Sequence, residues 1–162
     1  LLGCPGGEQL NGLYFNDGTG HFTMYDPIAG SGMLANFNSR AAAFSDIDHD
    51  GDLDILVANV DAAPTLLRND LAPATNSWLH IRLVHPTLSP AVGTRVLVTA
   101  GGKTLRRDVK GTYSYGGSST EVLHFGLGPN QTVSKIEVRW PDGSEQTVGV
   151  TAAKQFLTVT KE

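Results

Sequence analysis

Hydrophobic and polar residues alternate most cleanly in the second half of the chain. Leu79, Ile81 and Leu83 interleave with His80 and Arg82, and Ile136, Val138 and Trp140 interleave with Lys135, Glu137 and Arg139. A period of two sends successive side chains to opposite faces, so each run reads as a half-buried strand. Val96 and Val98 lie in a further run over 94–100 that Gly101-Gly102 ends, and Asp142-Gly143 turns the chain toward another strand over 147–150. A last strand is expected over 156–160. About six short strands spaced near ten residues apart, with no long helical period between them, predict a sandwich rather than a parallel sheet. In the first half, apolar runs at 41–44 and 55–60 have the length of buried strands. Residues 12–25 read as a hairpin around Asn16-Asp17-Gly18-Thr19-Gly20, because Gly supplies the positive φ of a tight turn cheaply. Residues 27–39 are loop-like, and LAPATNS at 71–77 resembles a linker. The expectation is an all-β chain in two parts, 1–73 and 74–162, with a boundary near Ala74.

Composition narrows the class. The chain is 40% hydrophobic and only 17% charged, with 19 Gly and 8 Pro, which suits a β structure with a core and many short turns. Twelve basic against 16 acidic residues give a net charge of −4. A nucleic-acid or anionic-membrane surface needs a basic excess, so neither is expected as a partner. No apolar run reaches the roughly 18 residues of a transmembrane segment. The single cysteine, Cys4, excludes an internal disulfide and a cysteine-based zinc site.

Asp46, Asp48, Asp50, Asp52 and Asp54 place five carboxylates within nine residues. Like charges about 4 Å apart repel by roughly 1 kcal/mol even in water. A hard divalent cation turns that repulsion into shared attraction, and calcium takes six to eight oxygens. Alternation turns Asp46, Asp48 and Asp50 inward, Gly51 relieves the bend, Asp52 offers its main-chain carbonyl, and Asp54 closes the set. The loop is not an EF-hand, because Val57 stands where a bidentate Glu belongs and β-branched residues follow. An acidic surface turn without metal and a magnesium site are the alternatives. His49, a soft ligand at an intervening position, is expected to be exposed.

The stretch 43–59, AFSDIDHDGDLDILVAN, resembles the FG-GAP/VCBS repeat of integrin-type β-propellers, as do Leu67-Arg68-Asn69-Asp70 and Leu13-Tyr14-Phe15-Asn16-Asp17. In that family the loop joins two strands of a blade and holds calcium. Gly93-Thr94-Arg95-Val96, Leu123-His124-Phe125-Gly126-Leu127-Gly128 and Val138-Arg139-Trp140-Pro141-Asp142-Gly143 are similar to the ASPIC/UnbV domain over about 76–160. This order of modules is that of the cartilage acidic protein group and of many secreted bacterial proteins. The resemblance implies partial propeller blade(s) followed by a small antiparallel β-sandwich. Tyr113-Ser114-Tyr115-Gly116-Gly117 departs from the family's usual wording.

No residue constellation points to catalysis. His124 reads as a hydrogen-bonded structural histidine, and His80 and His85 flank a strand without a second His at ligand spacing. Trp140 reads as a core anchor rather than a sugar platform, and Arg106, Arg107 and Lys110 as a solvated strand face. Asn130-Gln131-Thr132 is a glycosylation sequon. The favoured function is a non-enzymatic, calcium-stabilised extracellular or cell-surface interaction and adhesion module. Its expected partners are a protein or glycan at a cell surface or matrix and the rest of a parent propeller. The alternative is a non-catalytic or carbohydrate-binding region of a secreted enzyme, with Tyr113 and Tyr115 as the sugar-facing candidates. Calcium is expected to stabilise the first half more than the second. The start, Leu1-Leu2-Gly3-Cys4, admits a lipobox with Cys4 as lipid anchor. The repeat offset between Leu13-Tyr14-Phe15-Asn16-Asp17 and Leu66-Leu67-Arg68-Asn69-Asp70 favours instead a repeat begun upstream, with another acidic loop before Leu1.

Overall fold

Local turn chemistry organises the first part. In the computed structural model, which describes residues 10–25, 33, 35–70, 75–88, 91–113 and 115–162, β1 (Tyr14–Asn16) and β2 (Phe22–Met24) pair antiparallel, Tyr14 opposite Met24. The Asn16 side-chain oxygen accepts from the N–H groups of Gly18 (2.9 Å) and Gly20 (3.3 Å). Those glycines sit at φ 89° and 91°, where a Cβ would be strained. Next, β3 (Ser39–Ser45), β4 (Asp54–Asn59) and β5 (Thr65–Leu67) form an antiparallel meander in that order. The acidic loop joins β3 to β4. Among the described hydrophobics of this half, only Val57 is buried, while Tyr14, Phe15, Phe22, Leu56 and Leu66 are exposed. This is part of a blade whose faces remain open.

Alternation builds the second part. It comprises β6 (Ser77–Val84), β7 (Arg95–Ala100), β8 (Lys103–Asp108), β9 (Leu123–Gly128), β10 (Thr132–Val133), β11 (Lys135–Arg139), β12 (Glu145–Val148), β13 (Thr151–Ala152) and β14 (Gln155–Thr160). One sheet has the order β12-β11-β7-β8, a second β14-β6-β9, and β10 pairs with β13. Ile136 faces Val98 and Val138 faces Val96, all four fully buried. They pack in one core with Leu79, Ile81, Leu123 and Phe125 of the second sheet. The sandwich is otherwise antiparallel, but β14 runs parallel to β6. No hairpin joins these two strands, so no tight turn imposes an antiparallel direction. Trp140 is buried in the core, and its Nε1–H donates to Gln146 Oε1 at 3.2 Å. Arg106, Arg107 and Lys110 are exposed, with Arg106 bound to Asp108 at 2.7 Å.

One strand departs from the half-buried expectation. In β6, His80 is as buried as its neighbours Leu79 and Ile81. The register sets Phe156 of β14, His80 of β6 and His124 of β9 in one row across the sheet, on the face opposite the core. The acidic loop covers that face. The two parts also meet at backbone level. Thr120 N–H donates to the Phe44 carbonyl at 3.2 Å, and Phe44 N–H donates to Ser119 Oγ at 3.1 Å. The expected boundary near Ala74 lies outside the described residues.

Because the apolar core lies in the sandwich, Phe125→Ala should cost about 3–5 kcal/mol. Phe22→Ala, on the exposed hairpin, should stay within about 0.5 kcal/mol. Urea denaturation of both variants checks this, and equal losses would contradict the placement of the core.

Candidate metal centre

The loop closes on itself through its own carboxylates. Asp46 Oδ2 accepts from Gly51 N–H at 3.1 Å, and Asp50 Oδ1 accepts from Asp52 N–H at 3.1 Å. Gly51 takes φ 102°, while His49, exposed as expected, takes φ 63°. Asp46, Asp48 and Asp50 each bring a carboxylate oxygen within 4.8 Å of the others'. Asp54 lies outside this trio. It is 1% exposed, and both its oxygens accept backbone N–H groups, Oδ2 from Ile47 and Oδ1 from Asn69, each at 2.9 Å. Its observed work is to pin the loop's start and the chain beyond β5 to the first residue of β4.

At Asp52, expected to offer its main-chain carbonyl, the side chain is notable as well. Both its carboxylate oxygens are buried without a hydrogen-bond partner, as is Asp46 Oδ1. Burial, then the charges of Asp50, Asp54, Asp46 and Asp48, push the Asp52 carboxyl up to about 6. Arg68, just past β5, reaches Asp48 at 3.8 Å while also pairing with Asp70. From the sequence, Arg68 is legible only as part of a motif. Hard oxygen donors in excess, three of them buried and unsatisfied, fit a divalent cation such as calcium in chemistry and charge.

The floor of the site comes from the sandwich, and this the sequence did not disclose. A Cβ on Gly51 would collide with Trp78 Nε1, so the indole fills the space a larger residue would need. Asp46 Oδ2 lies 3.4 Å from His80 Nδ1, an electrostatic contact rather than a formed hydrogen bond. His80 Nε2 and His124 Nδ1 are 2.7 Å apart. Phe156 packs edge-on against His49, Trp78 and His80. His80 thus lies within its strand, with a second histidine beside it 44 residues on in the chain. Burial first, then His49 beside His80 and His80 and Arg107 beside His124, hold both imidazoles down to about 4; for His124 the Asp46 carboxylate opposes this only in part. With neutral rings and a carboxylate at Nδ1, the His80 proton belongs on Nδ1, and His124 donates from its own Nδ1 to His80 Nε2.

A blade fragment carrying an acidic loop, followed by a sandwich, defines a β-propeller-associated module of extracellular type. Residues 2–57 match the FG-GAP-like repeat, and residues 86–162 match the ASPIC and UnbV domain. The chain carries these two families' modules in that order. Both matched spans are narrower than those read from the residues, and the interval between them contains β6 with Trp78 and His80. No curated protein matches the chain. Both modules are typical of extracellular or cell-surface proteins. Among the described residues, no helix is long and apolar enough to cross a membrane.

The histidine pair predicts an acid-sensitive fold. Each imidazole is held near 4 in the native state against an ordinary 6.5, so unfolding takes up protons between those values. The stability they confer is present above about pH 6.5 and is lost as pH falls toward 4. Asp52, raised to about 6, acts in the opposite sense, but it is one group against two. Without calcium, stability should therefore fall from pH 7 to 5, and His124→Gln should flatten that slope. Urea midpoints across this range provide the check.

Proposed function

We propose that the chain is a calcium-stabilised, non-enzymatic interaction module at the surface of a cell or matrix, serving as part of a larger β-propeller protein. The observation that carries the reading is the convergence of Asp46, Asp48 and Asp50 beside the unsatisfied buried oxygens of Asp46 and Asp52. Those three carboxylates would hold the ion. Asp52 would add a fourth donor through its side chain or, as the sequence implies, its carbonyl. Asp54 would serve from the outer ring, keeping the loop's entry and exit fixed, and would join the ion through a remaining lone pair. Bound calcium would supply the positive charge that five neighbouring carboxylates lack. Weak affinity, about 10⁻⁴–10⁻³ M, suits an extracellular module bathed in calcium of that order. Burial of His80 beneath the loop, with the half-buried His124 bonded to it, favours a structural rather than a catalytic use of the two imidazoles.

A second reading, a carbohydrate-binding region of a secreted enzyme, is favoured by a separate observation. Tyr115 is 84% exposed, and Tyr113 is exposed with Lys110 Nζ 5.7 Å from its ring centre. Aromatic faces beside polar groups can stack on sugars.

Calorimetry at millimolar calcium should show one site, and Asp50→Ala should weaken it about tenfold or more, since one charge and one ligand go together. Tenfold excess over Kd should raise stability by about 1.4 kcal/mol. A silent titration would sink the calcium reading. Glycan binding that Tyr115→Ala abolishes would establish the second.

A further inference from the structure

The loop and the sheet beneath it bury charge that neither satisfies. The Asp46 side chain is 3% exposed, yet its Oδ1 has no partner, and His80 Nδ1 opposite is equally unpartnered. A cavity of about 80 Å³ beside them counts Asp46, His49, His80 and Phe156 among its lining residues. Lifting the loop off the sheet would return Asp46 to water, so docking carries a desolvation cost that the contacts present do not offset. A cation on the loop removes that cost. In turn, docking fixes Asp46 over His80 and seats Gly51 on the Trp78 indole, which holds the bend carrying Asp50 and Asp52. A ligand shifts such an equilibrium only through differential affinity for its two states, and here the docked loop has its carboxylates already gathered.

We infer that Trp78, His80 and Phe156 form a working wall of the cation site, so that cation binding and docking of the loop on the β14-β6-β9 sheet are one linked equilibrium. This rests on the calcium reading above. Trp78 is a positioning residue: its indole occupies the space beside Gly51, at the bend that carries the carboxylates. The wall lies outside the FG-GAP-like span, and both Trp78 and His80 precede the ASPIC and UnbV span. Linkage is reciprocal, so loss of the wall must weaken the cation by the factor with which the cation strengthens docking.

The chain's two tryptophans permit a direct test. Calcium is titrated into the full chain while the two indole N–H resonances are followed and the heat of binding is measured. The Trp78 signal should move with the same half-saturation as the heat, while that of Trp140, bonded to Gln146 in the core, stays in place. Trp78→Ala should weaken calcium about fivefold or more, and Trp78→Phe should recover much of that loss. The Trp140 resonance reports whether each variant retains its sandwich; if Trp78→Ala loses it, the wild-type resonance and Trp78→Phe decide. Calcium binding with an unmoved Trp78 signal and unchanged affinity in the variants overturns the linkage and leaves the calcium site standing. A wild-type chain that gives no heat with calcium overturns both.

Discussion

Five carboxylates crowded into one turn are the constraint around which the first module is arranged. Their repulsion would open the loop, and backbone amides answer part of it: Gly51 for Asp46, Asp52 for Asp50, and Ile47 and Asn69 for Asp54. Arg68 answers a little more from the surface. What remains is concentrated on Asp46 and Asp52, whose oxygens are buried and unmatched. Burial, together with the surrounding carboxylates, pushes the Asp52 carboxyl up, while the bend and the indole against it set Gly51.

Stability is divided unevenly between the two parts. The sandwich holds the continuous apolar core, from Leu79 to Val159, whereas the described blade strands bury little besides Val57 and two aspartates. A meander with open faces gains little from burial, so its order depends on local turns, on its charged loop and on what it leans against. The contacts of Phe44 with Ser119 and Thr120 cover part of one strand edge that would otherwise expose unpaired backbone groups.

Much of this was legible in the sequence because it is local. The Asn16–Gly20 turn, the acidic trio, the alternating strands of the sandwich and the buried Trp140 each declare themselves within a few residues. The docking of loop on sheet does not. Gly51 can be read as relief for a sharp bend, and its φ of 102° agrees, but nothing beside it reveals the indole that occupies its missing side chain. His80 and His124 each stand in an apolar strand 44 residues apart, and only pairing across β6 and β9 makes them neighbours. One signal was available: Trp78-Leu79-His80-Ile81 has bulky side chains on both faces of the strand, which suits a strand covered twice. Loop position points to Asp54 as a cation ligand, and its bond from Ile47 is local too, whereas its bond from Asn69 depends on where β5 leads the chain.

The parallel pairing of β14 with β6 bears on the order in which the molecule assembles. Phe156 reaches His80 only after β7 to β13 have been laid down between them, so the wall under the loop closes by a contact of very long sequence separation. Such contacts bear the full entropy of loop closure before they return any stabilisation, and they form late and slowly. The acidic loop, by contrast, can bend within nanoseconds to microseconds of its own accord. The floor on which the loop settles is therefore completed only by the far end of the sandwich, so a docked loop reports that both ends of the chain have come together.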